Sequence, residues 1–280
     1  MNTVYIDYNL VVIMARRTRE NAERLGEHVF QLVDNDYRVA LSAWHAVELA
    51  QSDDPDHIHS CTELVDRFQP LWLSNPAYVK CEELKGFLGS EWEDTNLKPH
   101  PNPAFNTTIS QMWATYSSEA FVGETFAGTV NALHKNPSAR KPIDDAVRQT
   151  PQAILIGREA MRDGRAIKYK PIVDREYFKS LLPPRAGVGA IDYLVDNVER
   201  VLEACPAVAI EDYLTRIRAS ESFTPKESDA ADLQHAVVAV AYCDHFVSDD
   251  KKLVEHCRRS AEQASVGCKV GRNLLDIPIH

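Results

Sequence analysis

The chain has 280 residues, 44% of them hydrophobic and 26% charged, with 31 Lys and Arg against 41 Asp and Glu for a formal net charge of −10. That length buries a sizeable core, as one large domain or two modest ones, and the composition is that of an ordinary soluble globular protein. The acidic balance excludes a wholesale nucleic-acid coat protein, yet it suits an enzyme that gathers acid at a metal and base elsewhere.

In chain order, residues 3–6 form a short apolar run with β-branched and aromatic members, the pattern of a buried strand, and Asp7 and Asn9 follow at once. No basic region or signal-like apolar stretch precedes that carboxylate, so no targeting segment is expected. Residues 10–33 carry apolar side chains at helical spacing, from Val11, Val12 and Met14 to Leu25, Val29, Leu32 and Val33, and predict one helix. Asp34-Asn35-Asp36 signals a turn, residues 37–41 a second strand, and Ser42 the cap of a helix over 43–51. Strand, helix, strand, helix within about fifty residues points to a parallel α/β sheet.

Residues 51–222 read as mostly helical, broken by proline-bearing segments at 96–103, 137–142 and 183–184. The α/β pattern then resumes. Thr224-Pro225-Lys226-Glu227 has the form of a capping box opening a helix to Tyr242. A third strand over 245–248 ends at Asp249-Asp250, a helix spans 252–262, and a last strand spans 265–270. The apolar run at 236–243 is too short to cross a bilayer. Cys61, Cys81, Cys205, Cys243, Cys257 and Cys268 show neither a CxxC pair nor Cys/His ligand spacing. Reduced thiols in a cytoplasmic protein are the simplest reading, and structural zinc is not expected. Trp44, Trp72, Trp92 and Trp113 are expected in packing roles rather than as base-stacking platforms.

Ligand sites of open parallel sheets lie at the carboxyl ends of the strands, and two predicted strands end on acids, Asp7 and Asp249-Asp250. Glu48 lies in the helix after the second strand, and Asp229 and Asp232 share a face of the late helix. Several carboxylates converging in one cleft repel each other, and a hard divalent cation such as Mg²⁺ or Mn²⁺ relieves that repulsion while accepting oxygen ligands.

These residues resemble the motifs of PIN-domain nucleases. Val4-Tyr5-Ile6-Asp7-Tyr8-Asn9 is similar to the family's opening strand motif, and the stretch from Ala40-Leu41-Ser42 to Glu48-Leu49 to its second. Asp232-Leu233-Gln234-His235-Ala236 is similar to the third, and Phe246-Val247-Ser248-Asp249-Asp250 to the fourth. The resemblance covers roughly residues 1–50 and 222–270 and departs from the family in the long stretch between its second and third motifs. It implies an α/β, PIN-like three-layer fold with a central parallel sheet, formed by a discontinuous core (1–50 and 222–280). A mainly helical insertion (51–221) partly completes that core. It further implies a Mg²⁺- or Mn²⁺-dependent nuclease in which Asp7, Glu48, Asp232 and Asp250 are catalytic and metal-binding. Glu48 would act as ligand or water-orienting group, and Asn9 and Ser248 would orient the carboxylates. RNA is the expected substrate ahead of DNA, on family grounds alone. An antitoxin or other protein partner and a homodimer stay open, and no membrane is expected. The rival reading is a catalytically inactive PIN-like module that binds or assembles.

Asp229 and Asp249 read as neighbours of the site rather than members, and His235 as a packing or surface histidine. The phosphatase alternative on a similar sheet is disfavoured by Asn9 where an aspartate would stand, and a dinucleotide-binding enzyme by the lack of a G-x-G-x-x-G turn. Candidates to grip a phosphate backbone are Arg16, Arg17 and Arg19 beside the first motif, and Arg158, Arg162, Arg165, Lys168 and Lys170 in a locally basic stretch. A solvated helical face explains that stretch equally well.

Overall fold

The computed structural model describes residues 2–92, 97–116, 123–140, 173–221 and 227–279. β1 (Asn2–Ile6) leads into α1 (Tyr8–Arg16) and α2 (Ala22–Asp34), and β2 (Tyr37–Ser42) into α3 (Ala43–Leu49) and α4 (Pro55–Phe68). β3 (Leu71–Leu73), α5 (Pro76–Glu91), β4 (Phe105–Asn106), α6 (Ile109–Ala114) and α7 (Phe126–Lys135) follow. Next come α8 (Arg175–Leu181), α9 (Gly187–Asp196), α10 (Val198–Ala204) and α11 (Pro206–Ser220). Last are α12 (Glu227–Tyr242), β5 (His245–Val247), α13 (Lys251–Gln263) and β6 (Lys269–Gly271).

The strands form one sheet in the order β4-β3-β2-β1-β5-β6, parallel throughout except for β4, which runs antiparallel to β3. The chain is therefore an α/β protein with a mostly parallel sheet between two helical layers, as the sequence pattern predicts. Alternation along the strands sorts the layers. Val4, Ile6, Val39 and Leu41 pack under α1 to α4 and α7, whereas Tyr5, Ala40, Leu73 and Phe246 pack under α11, α12 and α13. A third apolar cluster joins α5 to α8, α9, α10 and α11.

The strand order explains the position of the site. From β1 the chain winds outward through β2 and β3, then returns to the other side of β1 as β5 and β6. The connections leaving β1 and β5 diverge to opposite faces of the sheet, the kind of switch point at which open parallel sheets place ligand sites. Asp7 follows β1 directly, and its backbone N–H continues the sheet by donating to the carbonyl of Val247 at 2.9 Å.

Three elements differ from the sequence expectation. The helix predicted over 10–33 is two helices, because Arg17 caps α1 in the left-handed region (φ 50°). The polar run Arg16-Arg17-Thr18-Arg19-Glu20-Asn21 offers no apolar side chain to carry the buried face across that gap. The stretch 51–221 is not only helical: it supplies β3 and β4 to the sheet, and its α11 packs against α12 in the second core layer. The last strand is shorter than expected and starts at Lys269. The proposed capping box at Thr224 lies outside the described residues, as do Arg158, Arg162, Arg165, Lys168 and Lys170. Trp44, Trp72 and Trp113 are buried, and Trp92 packs edge-on against Tyr193 with ring centroids 5.1 Å apart. Among the described residues no helix is long and apolar enough to cross a membrane, and all six cysteines are free thiols.

Candidate acidic site at the strand ends

Asp7 is 8% exposed and caps α1, its Oδ1 accepting from the Tyr8 N–H at 2.8 Å. Its Oδ2 accepts from the Ser248 hydroxyl at 2.7 Å. Ser248 Oγ in turn accepts from the Asp250 N–H at 3.1 Å, so one buried serine ties the end of β1 to the end of β5. Burial pushes the Asp7 carboxyl above its usual range, and Glu48 adds to the rise, while His235, Ser248 and the Tyr8 N–H oppose it.

Asp250 caps α13, its Oδ1 accepting from the N–H groups of Lys252 (2.7 Å) and Leu253 (2.8 Å). Asp232, on α12, is partly buried, and its pKa is pushed up to about 6. Burial is the main cause, Asp7 and Asp250 also raise it, and Arg218 and His235 pull it down. Asp7, Asp232 and Asp250 thus share one electrostatic environment, and Glu48 joins it through His235. The Asp229 side chain lies outside the described residues, and Asp249 turns to the rim, where Arg19 grips it at 2.5 and 3.1 Å.

Sequence reasoning set aside His235 and passed over Arg218, and both lie among the acids. His235, one turn beyond Asp232, is buried. Its Nδ1 stands 2.6 Å from the Tyr5 hydroxyl and 2.8 Å from Ser42 Oγ, and its Nε2 lies 3.8 Å from Glu48 Oε1. Burial works against its charge, but Glu48, Asp7 and Asp232 outweigh burial and raise its pKa. The i to i+3 spacing from Asp232 was the available signal, because it puts both side chains on one helix face. Arg218, at the end of α11, is also buried and reaches within 3.8 Å of Asp232 Oδ2. No local pattern could reveal it, because it belongs to the 51–221 stretch and meets the acids only through the packing of α11 on α12.

His45 completes the arrangement as a neutral ring. It accepts from the Ser42 N–H at Nδ1 (3.2 Å), and its Nε2–H donates to the Ile6 carbonyl (2.9 Å). Burial and the His235 charge pull its pKa down to about 4. The carbonyl partner fixes the tautomer. Tyr5, fully buried beneath these rings, has its pKa driven upward by burial and the Asp7 charge, and stays a neutral phenol.

Other expected members stand apart. Asn9 is exposed on the first turn of α1 and makes no hydrogen bond to a carboxylate among the described residues, whereas Ser248 donates to Asp7. Arg16 points away and pairs with Asp54 at 2.7 Å, and Arg17 is exposed, 3.8 Å from Glu23. Only Arg19 of that trio reaches the rim.

The all-oxygen donors of Asp7, Asp232 and Asp250 suit a hard divalent cation, which would offset both the burial that mainly raises the Asp232 pKa and the smaller contribution of the Asp7 and Asp250 charges. Among the described residues, however, no three His, Cys, Asp or Glu side chains already form a metal-holding group. His235 and Arg218 supply part of the counter-charge themselves. The donor chemistry fits the ion, and the carboxylates would have to draw together around it. Comparisons with family models, with curated proteins and with solved structures find no match for this chain.

Proposed function

We propose that this protein is a Mg²⁺- or Mn²⁺-dependent nuclease of PIN-like type that hydrolyses phosphodiester bonds, in RNA ahead of DNA, in a reducing cytoplasmic setting. The observation that carries the reading is that Asp7, Asp232 and Asp250 stand around the switch point of a parallel sheet, where the charges of Asp7 and Asp250 reach Asp232 and add to the rise that burial gives its pKa. Asp7 and Asp232 would be the principal ligands, with Asp250 and Glu48 contributing directly or through water. A divalent ion held there supplies Lewis acidity to the phosphate and lowers the pKa of an attacking water. The chain's own residues prepare the site. Ser248 fixes the Asp7 carboxylate, and Arg218 places a permanent positive charge where phosphate oxygens develop negative charge. Glu48, oriented by His235, faces the same space as a carboxylate able to align water.

The two buried cations favour a second reading, a binding module whose acids are neutralised internally and never take a metal. Incubating the protein with single-stranded RNA and DNA, with Mn²⁺ or with EDTA, separates the two. Metal-dependent cleavage that Asp7→Asn and Asp232→Asn abolish supports the nuclease. Cleavage unchanged in both variants would refute the site, and no cleavage of any nucleic acid would favour the binding module.

A further inference from the structure

Two clefts of about 530 Å³ and 480 Å³ lie side by side next to the acidic site, and Arg258 and Arg272 form walls of both. The larger follows β6, the free edge of the sheet, and the smaller covers the first turns of α13. Five cations line the pair, Lys251, Lys252, Arg258, Lys269 and Arg272, against three carboxylates. In a chain of net charge −10 this is a local reversal of sign.

The local sequence explains how the cations come together. α13 buries Leu253, Val254, Cys257 and Ala261, so its polar residues, Lys251, Lys252, Glu255 and Arg258, are left for the opposite face. Lys269 begins β6 and Arg272 follows its end, about 10 Å further along at the usual strand rise. A lysine on an edge strand deters unwanted strand pairing, which accounts for Lys269 but not for the arginines shared by two clefts. Existing ion pairs are at least partly exposed and weak competitors: Lys252 with Glu221 at 3.0 Å, Arg258 with Glu255 at 3.3 Å and Arg272 with Asp249 at 3.9 Å. Lys251 and Lys269 form no ion pair among the described residues.

One shared wall, Arg272, reaches the end of β5. Arg272 donates to the backbone carbonyl of Asp249 at 3.2 Å, one residue before Asp250, and Arg19 grips the Asp249 carboxylate from the other side. A row of cations about 10 Å long that ends at a carboxylate cluster matches a flexible polyanion with regularly spaced charges.

We propose that the two clefts form one phosphate-backbone track, seating a single-stranded nucleic acid across β6 and α13 and leading it to the acidic site. The destination rests on the nuclease reading; the binding does not. The test is fluorescence anisotropy with labelled single-stranded RNA, and DNA of the same sequence, in EDTA over a series of salt concentrations. The wild type is compared with Lys251→Gln/Lys269→Gln/Arg272→Gln and with a control, Arg24→Gln/Lys179→Gln. We expect the triple variant to lose at least about tenfold in affinity at an unchanged melting temperature. Its log–log salt slope should fall by about 2, from three phosphate contacts at about 0.7 each. The control should bind as the wild type does. The track is overturned if the triple variant binds normally, or if the wild type binds polyglutamate but neither nucleic acid. Track-dependent binding without cleavage in Mn²⁺ upholds the track while the nuclease reading fails; cleavage with binding indifferent to the track does the reverse.

Discussion

Replacing Asp7 with asparagine should stabilise the metal-free protein. Asp7 is a buried carboxylate, and the rise in its pKa gives the sign: after every hydrogen bond and the attraction of His235, its ionised form is still worse off in the fold than in water. Asparagine is nearly isosteric. Its Oδ1 can accept from the Tyr8 N–H and its Nδ2 can donate to Ser248 Oγ, although the Ser248 hydroxyl hydrogen then loses the acceptor it has in Asp7, a cost set against the gain. Removing the charge lifts a desolvation cost of several kcal/mol, while the charge-assisted bonds and the His235 attraction that are lost offset most of it. The net gain should be about 1–2 kcal/mol, or about 2–6 °C in Tm for a chain of this size. The pH dependence is a second check. A carboxyl whose folded pKa lies above its unfolded value contributes stability that is complete below the unfolded pKa and is lost as pH rises through the folded one. The variant should therefore match the wild type below about pH 4 and pull ahead as pH rises. The assay is thermal or urea unfolding in EDTA from pH 4 to 8, repeated with Mn²⁺, which should raise the wild-type Tm and leave the variant unmoved. A variant less stable than the wild type at neutral pH in EDTA would refute the electrostatic account.

Ser248→Ala removes the donor to Asp7 Oδ2 and the acceptor for the Asp250 N–H, and should destabilise by about 1–3 kcal/mol in urea unfolding, with activity falling as well. Arg218→Met should raise the affinity for Mn²⁺, read by calorimetry, by about tenfold because it removes a competing charge near Asp232, while slowing any cleavage; unchanged metal affinity would mean that Arg218 does not sense the site. In proton NMR, His45 should stay neutral down to about pH 4, and His235 should hold its proton above the ordinary histidine range. In Asp7→Asn the His235 pKa should fall, because one of the carboxylates that raise it is gone.

The sheet was legible because its evidence is local. β1, β2 and β5 are short apolar runs that end at polar residues, and each of the acids at their ends sits within a few residues of its strand. Ser248 came only from the resemblance to the fourth motif, and its hydroxyl stands between the carboxyl ends of the central strands, donating to Asp7 and accepting from the Asp250 N–H. The break at Arg17 was not, because apolar spacing on either side of it stays in helical phase and only the missing apolar residues between mark the gap. β3 and β4 are three and two residues long, too short for any alternation to show. His235 was undervalued because a histidine on an alanine-rich helix is ambiguous until its partners Tyr5, Ser42 and Glu48 are known, and they lie on β1, at the end of β2 and on α3. Arg218 and the β6–α13 clefts depend wholly on long-range packing, and the clefts join residues whose charges are unremarkable in sequence.

Arg218 changes how the stretch 51–221 relates to the acids. The stretch contributes to the sheet and to the core around the acids in three places. β3 pairs with β2 and extends the sheet that aligns the strand ends. Ala207, Ile210 and Leu214 of α11 share one core layer with Leu233 and Val237 of α12, so the position of Asp232 depends on them. Glu83 of α5 accepts from the N–H groups of Ala207 and Val208 and from the Tyr242 hydroxyl, at 2.8, 3.2 and 2.7 Å, pinning the start of α11 to the far end of the helix that carries Asp232. Arg218 then enters from the other end of α11 and brings its guanidinium within 3.8 Å of Asp232 Oδ2. A core stripped of the stretch would lose both the support for Asp232 and the cation beside it, so the acids and the stretch between them form one structural unit.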